Sequence, residues 1–484
     1  LSMHFSVIAR VLGLLMMIFS FTLVPPMIVS WLYQDGTLNA FLYALLITFG
    51  IGLLVWLPVH NHKQELKTRD GFVITVLFWL VLAFSGSVPL YLAEHPGLSY
   101  TDAFFESLSG WTTTGATVIT GLDELPESIL WYRQQLQWLG GMGIIVLAVA
   151  VLPMLGIGGM QLFRAETPGP VKDSKLTPRI TETAKALWYI YLSLTIACAA
   201  AYWFAGMSLF DAIGHSFATV AIGGFSTHDA SLGYFNSPTI EAIAMIFMLI
   251  SVLNFGLHFY AWKNKSIVHY FMDSEFKFLL SIIFGGAALT VSALWLTDTY
   301  TLTDSIRNGL FQLISVATTT GFGTAGFAEW PVFLPVLLFM MAFIGGCAGS
   351  TGGGMKVIRI LLIYKQGIRE ILRLIHPNAI IPVKINKRTV NDRVLESVWG
   401  FFSVYILTYM VMMVALLATG LDHVTAFSAV GACLNNLGPG LGDVAAHYGN
   451  ISDVAKWILS ITMLLGRLEI FTFLVLMSPA FWRH

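Results

Sequence analysis

The sequence predicts an all-α polytopic membrane protein. It would be built from four concatenated repeats of helix, re-entrant half-helix, glycine loop and helix, preceded by two further transmembrane helices. Three observations carry this prediction. Hydrophobic residues make up 56% of the 484-residue chain and charged residues only 11%, far below the roughly 25% charge of an ordinary soluble domain. Apolar stretches long enough to cross a hydrocarbon core recur along the whole chain. Four shorter apolar runs align with one another, and each closes on glycine.

In chain order, the candidate spans are 5–32, 38–59, 71–92, 128–155, 185–206, 238–262, 277–297, 331–363, 396–419 and 454–479. The apolar run after Arg10 is longer than a cleaved leader and lacks an A-x-A site, so it reads as a retained first helix. The runs 102–113, 211–222, 308–319 and 425–436 hold about a dozen residues each, too few to span. They read as half-helices that enter and leave by the same face. The units are therefore 1–70 (two N-terminal helices), then repeats at 71–165, 166–265, 266–392 and 393–484. Cys198, Cys347 and Cys433 have neither disulfide nor metal-ligand spacing.

Lys and Arg set the orientation. They concentrate in the loops after the second, fourth, sixth and eighth spans: Lys63, Lys67, Arg69; Arg164, Lys172, Lys175, Arg179; Lys263, Lys265; and the run Arg369 to Arg393. The opposite loops hold Arg133, Arg307 and Lys456 among many carboxylates. The basic face is read as cytoplasmic, with both termini on it. Avoidance of Lys and Arg in outer loops explains most of this bias. An acidic outer vestibule would also concentrate cations.

The four short runs are Asp102-AFFESLSGWTT-Thr114-Gly115, Asp211-AIGHSFATVAI-Gly223-Gly224, Asn308-GLFQLISVATT-Thr320-Gly321 and Thr425-AFSAVGACLNN-Leu437-Gly438. Asp102, Asp211, Asn308 and Thr425 each stand thirteen positions before the terminal glycine. They are read as caps of the half-helices. Irregular backbone at membrane depth survives where it lines water or is buried in protein. Four such loops on one axis would present a ring of carbonyls able to replace the hydration shell of a monovalent cation. The negative C-terminal ends of the half-helices favour the same charge. The Thr-Thr-Thr-Gly copies at 112–115 and 318–321 look like a shortened potassium-channel filter.

With these motifs the whole chain resembles the TrkH/TrkG/KtrB superfamily of potassium transporters, and most closely its TrkH branch with two extra N-terminal helices. The resemblance implies a potassium filter of Thr113, Thr114, Gly115, Ile222, Gly223, Gly224, Thr319, Thr320, Gly321, Asn436, Leu437 and Gly438. Repeats two and four lack the threonines, which implies an asymmetric filter. It also implies an intramembrane gating loop, GGCAGSTGGG, comprising Gly345, Gly346, Cys347, Ala348, Gly349, Ser350, Thr351, Gly352, Gly353 and Gly354. So glycine-rich a run cannot hold a helix. The competing reading is small-residue helix packing; a phosphate-binding loop fits worse, because Lys356 lacks the required spacing. Arg467, the basic residue deep in the last span, is expected to contact loop carbonyls and hold positive charge below the filter, with an ion pair to Glu469 as the alternative. His215 and His258 are read as packing residues with hydrogen-bond partners.

The resemblance further implies uptake across the bacterial inner membrane, no covalently bound cofactor, and a homodimer. Its partner would be a TrkA-like cytoplasmic ring that senses nucleotide (ATP/ADP or NAD). This chain has no G-x-G-x-x-G after a strand, so sensing would lie in the partner, gripping the basic segment of about 364–393. No feature points to nucleic acid. A proton- or sodium-coupled symporter with alternating access is the rival, and it predicts inverted repeats and midplane carboxylates. An enzyme is the poorest fit, because no span carries a nucleophile–base pair or metal cluster.

Overall fold

The computed structural model describes residues 3–146 and 180–483, apart from 63, 65, 66 and 332. The basic loop residues Lys63, Arg164, Lys172, Lys175 and Arg179 lie outside the described residues, as does the end of the fourth expected span. Helix α1 (Phe5–Phe21) gives way at Thr22 to α2 (Val24–Tyr33), which opens on Pro25-Pro26. Proline suits the first turn of a helix, where its missing N–H has no partner to lose. Helix α3 (Leu38–Trp56) returns against α1. Gly13 and Gly52 let the two backbones touch, since a Cβ on either would lie 2.8 Å from the other's carbonyl oxygen.

The first repeat is α4 (Thr68–Leu92), α5 (Tyr100–Trp111) and α6 (Glu127–Val146). The second is α7 (Ile180–Phe204), α8 (Leu209–Val220), α9 (Pro238–Ser251) and α10 (Phe255–Lys263). Short α11 (Val268–Met272) leads into the third: α12 (Ser274–Leu296), α13 (Leu302–Ala317), α14 (Leu334–Ile344) and α15 (Val357–Ile375). A small hairpin, β1 (Lys384–Ile385) with β2 (Arg388–Thr389), pairs antiparallel before the fourth. That repeat is α16 (Asp392–Leu417), α17 (His423–Leu434), α18 (Asp453–Arg467), α19 (Phe471–Met477) and α20 (Pro479–Trp482). The fold is thus all-α with four helix, half-helix, loop and helix units, as expected.

Two expectations need correction. The opening helix of each repeat is continuous, but three of the four closing spans are not. The expected span 238–262 bends by 89° between α9 and α10, and 454–479 bends by 114° between α18 and α19. At the first break the Asn254 side chain caps α10 by accepting from the Gly256 N–H at 2.8 Å. At the second, Glu469 and Ile470 both take positive φ, at 54° and 60°. The eighth span is interrupted at its glycine run, as expected. Among the described residues six helices are long and apolar enough to cross alone, or eight counting each bent pair as one.

The second correction concerns the half-helix caps. Asp102, Asp211 and Thr425 are the third residues of their helices, and their N–H groups donate to the true caps Ser99, Ser208 and Asp422. In repeat three Thr301 caps and receives the Asp304 N–H, which leaves Asn308 inside α13. The motif is a cap-x-x-(Asp or Thr) pattern. The expected cap therefore falls three residues into the pattern in repeats one, two and four, and further along the helix in repeat three.

Each interface between repeats carries part of the core. Phe105 and Leu108 of α5 join Ala429 and Cys433 of α17 and Leu459 and Met463 of α18. Large apolar side chains such as Leu54, Phe204 and Phe284 instead face outward. Lipid tails are as apolar as leucine, so no force drives such groups inward. All three cysteines are buried and free.

Candidate functional site

Each half-helix ends in the same unusual backbone. Positive φ falls on Thr113 and Gly115, Ile222 and Gly224, Thr319 and Gly321, and Asn436 and Gly438. The residue between each pair donates its N–H five residues back into the half-helix: Thr114 to Ser109, Gly223 to Ala218, Thr320 to Ser315, Leu437 to Ala432, at 2.8–2.9 Å. Left-handed conformations are strained for residues with a Cβ. Their recurrence at four equivalent places marks a built feature.

The four segments meet in a closed ring. A Cβ on Gly115 would lie 2.1 Å from the Gly223 oxygen, on Gly224 2.0 Å from Thr320 oxygen, on Gly321 2.4 Å from Leu437 oxygen, and on Gly438 2.7 Å from Thr114 oxygen. Each glycine therefore backs onto the carbonyl that precedes the next repeat's glycine, in the order 1, 2, 3, 4 and back to 1. The twelve residues expected from the sequence are brought together by this closure. Hydroxyl pairs Thr112–Thr114 and Thr318–Thr320, each at 2.7 Å, stiffen two of the strands. Asn436 Nδ2 donates to Thr114 Oγ1 at 3.0 Å and joins repeat four to repeat one. Carbonyls in a ring at the negative ends of four helices favour a cation.

The run Gly345–Gly354 packs directly against the inner ends of these half-helices. Thr351 Oγ1 donates to the Val220 carbonyl at 3.1 Å, the Gly353 N–H to Thr319 Oγ1 at 2.8 Å, and the Gly354 N–H to the Asn435 carbonyl at 3.2 Å. Gly345, Gly349 and Gly354 have positive φ. Gly353 approaches Asn435 so closely that a Cβ would sit 1.9 Å from its oxygen. Within the loop Ser350 Oγ donates to Cys347 oxygen at 2.6 Å, and the Gly346 N–H to Gly353 oxygen at 3.0 Å. Bonds from Cys347 N–H to Val252 oxygen and from Phe255 N–H to Gly349 oxygen tie the loop to the break in the second repeat.

Arg467 reaches the end of the first half-helix, to which the loop makes no hydrogen bond among the described residues. Its Nε and Nη2 donate to the Thr112 carbonyl at 3.1 and 2.8 Å, Nη2 to Thr113 Oγ1 at 2.8 Å, and Nη1 to the Gly352 carbonyl at 3.5 Å. The alternative pairing with Glu469 is not made. Glu469 bonds Arg359 at 3.0 Å instead. His215 and His258 are packing residues with two partners each: Asp211 oxygen and Ser226 Oγ, and Tyr270 hydroxyl and Ile250 oxygen.

Sequence reasoning missed four contributors. Lys356 buries its ammonium on the Gly352 carbonyl at 2.6 Å, the same oxygen that Arg467 approaches. Its place two residues after the glycine run was the available signal. Glu275 accepts the Ala348 N–H at 3.0 Å, Asn254 lies under Gly349, and Gln137 grips the Gly223 carbonyl at 2.8 Å. Polar residues inside apolar spans are the signal for Asn254 and Gln137, whereas Glu275 stands just before its expected span.

The comparisons with known proteins agree with this architecture. The family model described as TrkH, cation transport protein, matches residues 37–484. The chain is 61% identical to the Trk system potassium uptake protein TrkH of Halomonas elongata, over 99% of this chain and 100% of that one. It is 43% identical to TrkG of Escherichia coli over 99% of each. The crystal structure of the potassium transporter TrkH from Vibrio parahaemolyticus superposes with a TM-score of 0.93 at 55% identity, over 99% of this chain and 100% of that one. These relatives are transporters by name, a non-enzymatic function. A four-repeat membrane architecture and full-length matches together assign the chain to a family: it belongs to the TrkH cation transport proteins.

Proposed function

We propose that this chain takes up potassium across the bacterial inner membrane through a channel-like pore whose filter is the four-repeat ring. The single observation that carries the reading is the closure of that ring, each glycine set against the next repeat's carbonyl with no room for a Cβ. Carbonyl oxygens at fixed spacing substitute for the water around a potassium ion. The names of the relatives, potassium uptake proteins, support the choice of ion.

In this reading the Gly345–Gly354 loop obstructs the path below the filter, and Arg467 and Lys356 hold it there. Both cations bond loop or half-helix carbonyls, and both place positive charge in the way of an entering cation. Helix α15 starts just after the loop and runs for 19 residues, and residues 376–383 then lead to the hairpin, whose buried Ile385 packs with Leu361 and Leu362 of the same helix. A partner gripping Arg373, Lys384, Lys387 or Arg388 would thus act on the loop through a rigid rod, which is the bistable element that gating needs. That partner is a TrkA-like nucleotide-binding ring on the cytoplasmic side, which carries the nucleotide site, and the chain works as a homodimer with both termini cytoplasmic. The repeats in this reading are 71–165, 166–265, 266–392 and 393–484, with the boundary at 166 outside the described residues.

Potassium and sodium uptake into liposomes at a clamped voltage, with the pH gradient varied, tests the proposal. Pore transport follows voltage whatever the pH gradient. Uptake that requires a proton or sodium gradient would instead support the symporter reading.

A further inference from the structure

Helix α6 carries Arg133, Gln134 and Gln137, all buried. Polar side chains within a span are costly and are kept for a partner or a function. All three take up the backbone just past the half-helix of the second repeat. Gln137 Nε2 donates to the Gly223 carbonyl at 2.8 Å, and its Oε1 accepts the Phe225 N–H at 3.0 Å. Gln134 Nε2 donates to the Phe225 carbonyl at 3.1 Å, and Arg133 Nη1 to the Ser226 carbonyl at 3.0 Å. The second filter strand is therefore braced from a neighbouring repeat.

Repeats one and three are braced from within, by the hydroxyl pairs Thr112–Thr114 and Thr318–Thr320. The matching positions in repeat two are Ala221 and Gly223, which have no hydroxyl. A Cβ on Gly223 would lie 2.3 Å from both Cδ and Oε1 of Gln137. The Gln137 amide thus fills the space into which the threonine side chain projects in repeats one and three. We propose that Gln137 is a positioning residue that sets ion selectivity. From α6 it supplies the side chain that repeat two lacks, and it fixes the Gly223 carbonyl within the ring. Without it, two successive glycines leave the strand free to turn that carbonyl, and the set of carbonyls around the ion decides discrimination. The inference rests on the filter reading proposed above.

The test uses the full-length protein in liposomes, comparing potassium with sodium flux. The variants are Gln137→Ala, Gln137→Glu, Gly223→Thr and the double variant Gln137→Ala/Gly223→Thr, with thermal unfolding in detergent as the check on folding. Gln137→Glu keeps the volume and the acceptor for Phe225 but removes the donor to Gly223, so it carries the test if the alanine variant does not assemble. Both Gln137 variants should lose about fivefold in potassium-over-sodium preference, the order of one net hydrogen bond. Gly223→Thr alone should conduct poorly, because its side chain meets the amide. The double variant should recover discrimination relative to either single change. Wild-type preference in Gln137→Ala or Gln137→Glu overturns the proposal, and so does a double variant no better than Gln137→Ala. Absence of any preference in the wild type would overturn the filter reading itself, before a variant is compared.

Discussion

Arg467, near the end of the chain, donates two hydrogen bonds to the main-chain carbonyl of Thr112, in the first repeat, at 2.8 and 3.1 Å. The same guanidinium points a third nitrogen at Gly352 in the glycine loop, 3.5 Å away. One side chain therefore links the last repeat, the first repeat and the loop, at the inner end of a half-helix. Its charge also opposes the negative end of that half-helix. Changing Arg467 to Ala should raise basal potassium flux roughly tenfold, the effect of removing about 1.4 kcal/mol of barrier. Arg467→Lys should raise it less. Flux assays on reconstituted protein check both, and unchanged flux in a folded alanine variant would count against a brake.

Gly115→Ala and Gly224→Ala place a Cβ 2.1 and 2.0 Å from a backbone oxygen of the next repeat. Backbone cannot yield as a flexible side chain does, so the strand must shift, at about 1–3 kcal/mol. Potassium flux should fall sharply and sodium discrimination with it. Circular dichroism should show unchanged helix content. Wild-type discrimination in either variant would separate that glycine from the ring.

Ser99→Ala and Ser208→Ala each remove an acceptor from a half-helix start and should destabilise by about 1 kcal/mol. Asp102 acts differently, through its 2.7 Å pair with Lys456, which lies 5% exposed in repeat four. Asp102→Ala should exceed the serine variants, since it removes the shorter of the buried ammonium's two carboxylate contacts and leaves it the Gly449 carbonyl at 3.3 Å and the exposed Asp453 at 3.9 Å. Thermal unfolding in detergent ranks the three. Equal effects would return Asp102 to the role of an ordinary helix-start residue.

His228, in the loop beyond the second filter strand, lies 2.5 Å from Asp123 of repeat one and 3.2 Å from Asp211 of repeat two. Burial lowers its pKa, but the hydrogen bonds to Asp211 and Asp123 outweigh burial and hold it above the usual histidine value. Tyr234 stacks on its ring at 3.5 Å. A group whose folded pKa is raised stabilises fully below its unfolded value of about 6.5 and loses that contribution as pH rises through the folded value. The unfolding gap between wild type and His228→Gln should therefore be wide near about pH 6 and close in alkaline solution. A gap that widens with pH would show the sign to be wrong.

The ring was legible in the sequence because one spacing, thirteen residues to glycine, recurs four times and falls between long apolar spans. The loop was legible because glycine-rich backbone cannot remain helical. The caps are not legible because cap and third-position residue are both polar and stand three residues apart in repeats one, two and four, so spacing alone cannot choose between them. The 89° break after Ser251 was not legible. Asn254-Phe255-Gly256 marks a small-residue centre in the span but not a bend, which is completed by Cys347 and Gly349 from nearly a hundred residues away. Gln137 was hidden for the same reason: its meaning depends on Gly223, 86 positions on.

The most direct test of the central claim is the reversal potential of the reconstituted protein with potassium on one side of a bilayer and sodium on the other, for wild type and Gly321→Ala. The closed carbonyl ring predicts a wild-type reversal displaced in the direction that marks potassium preference, and a Gly321→Ala reversal that collapses toward zero. Equal reversal potentials in the two proteins would contradict it.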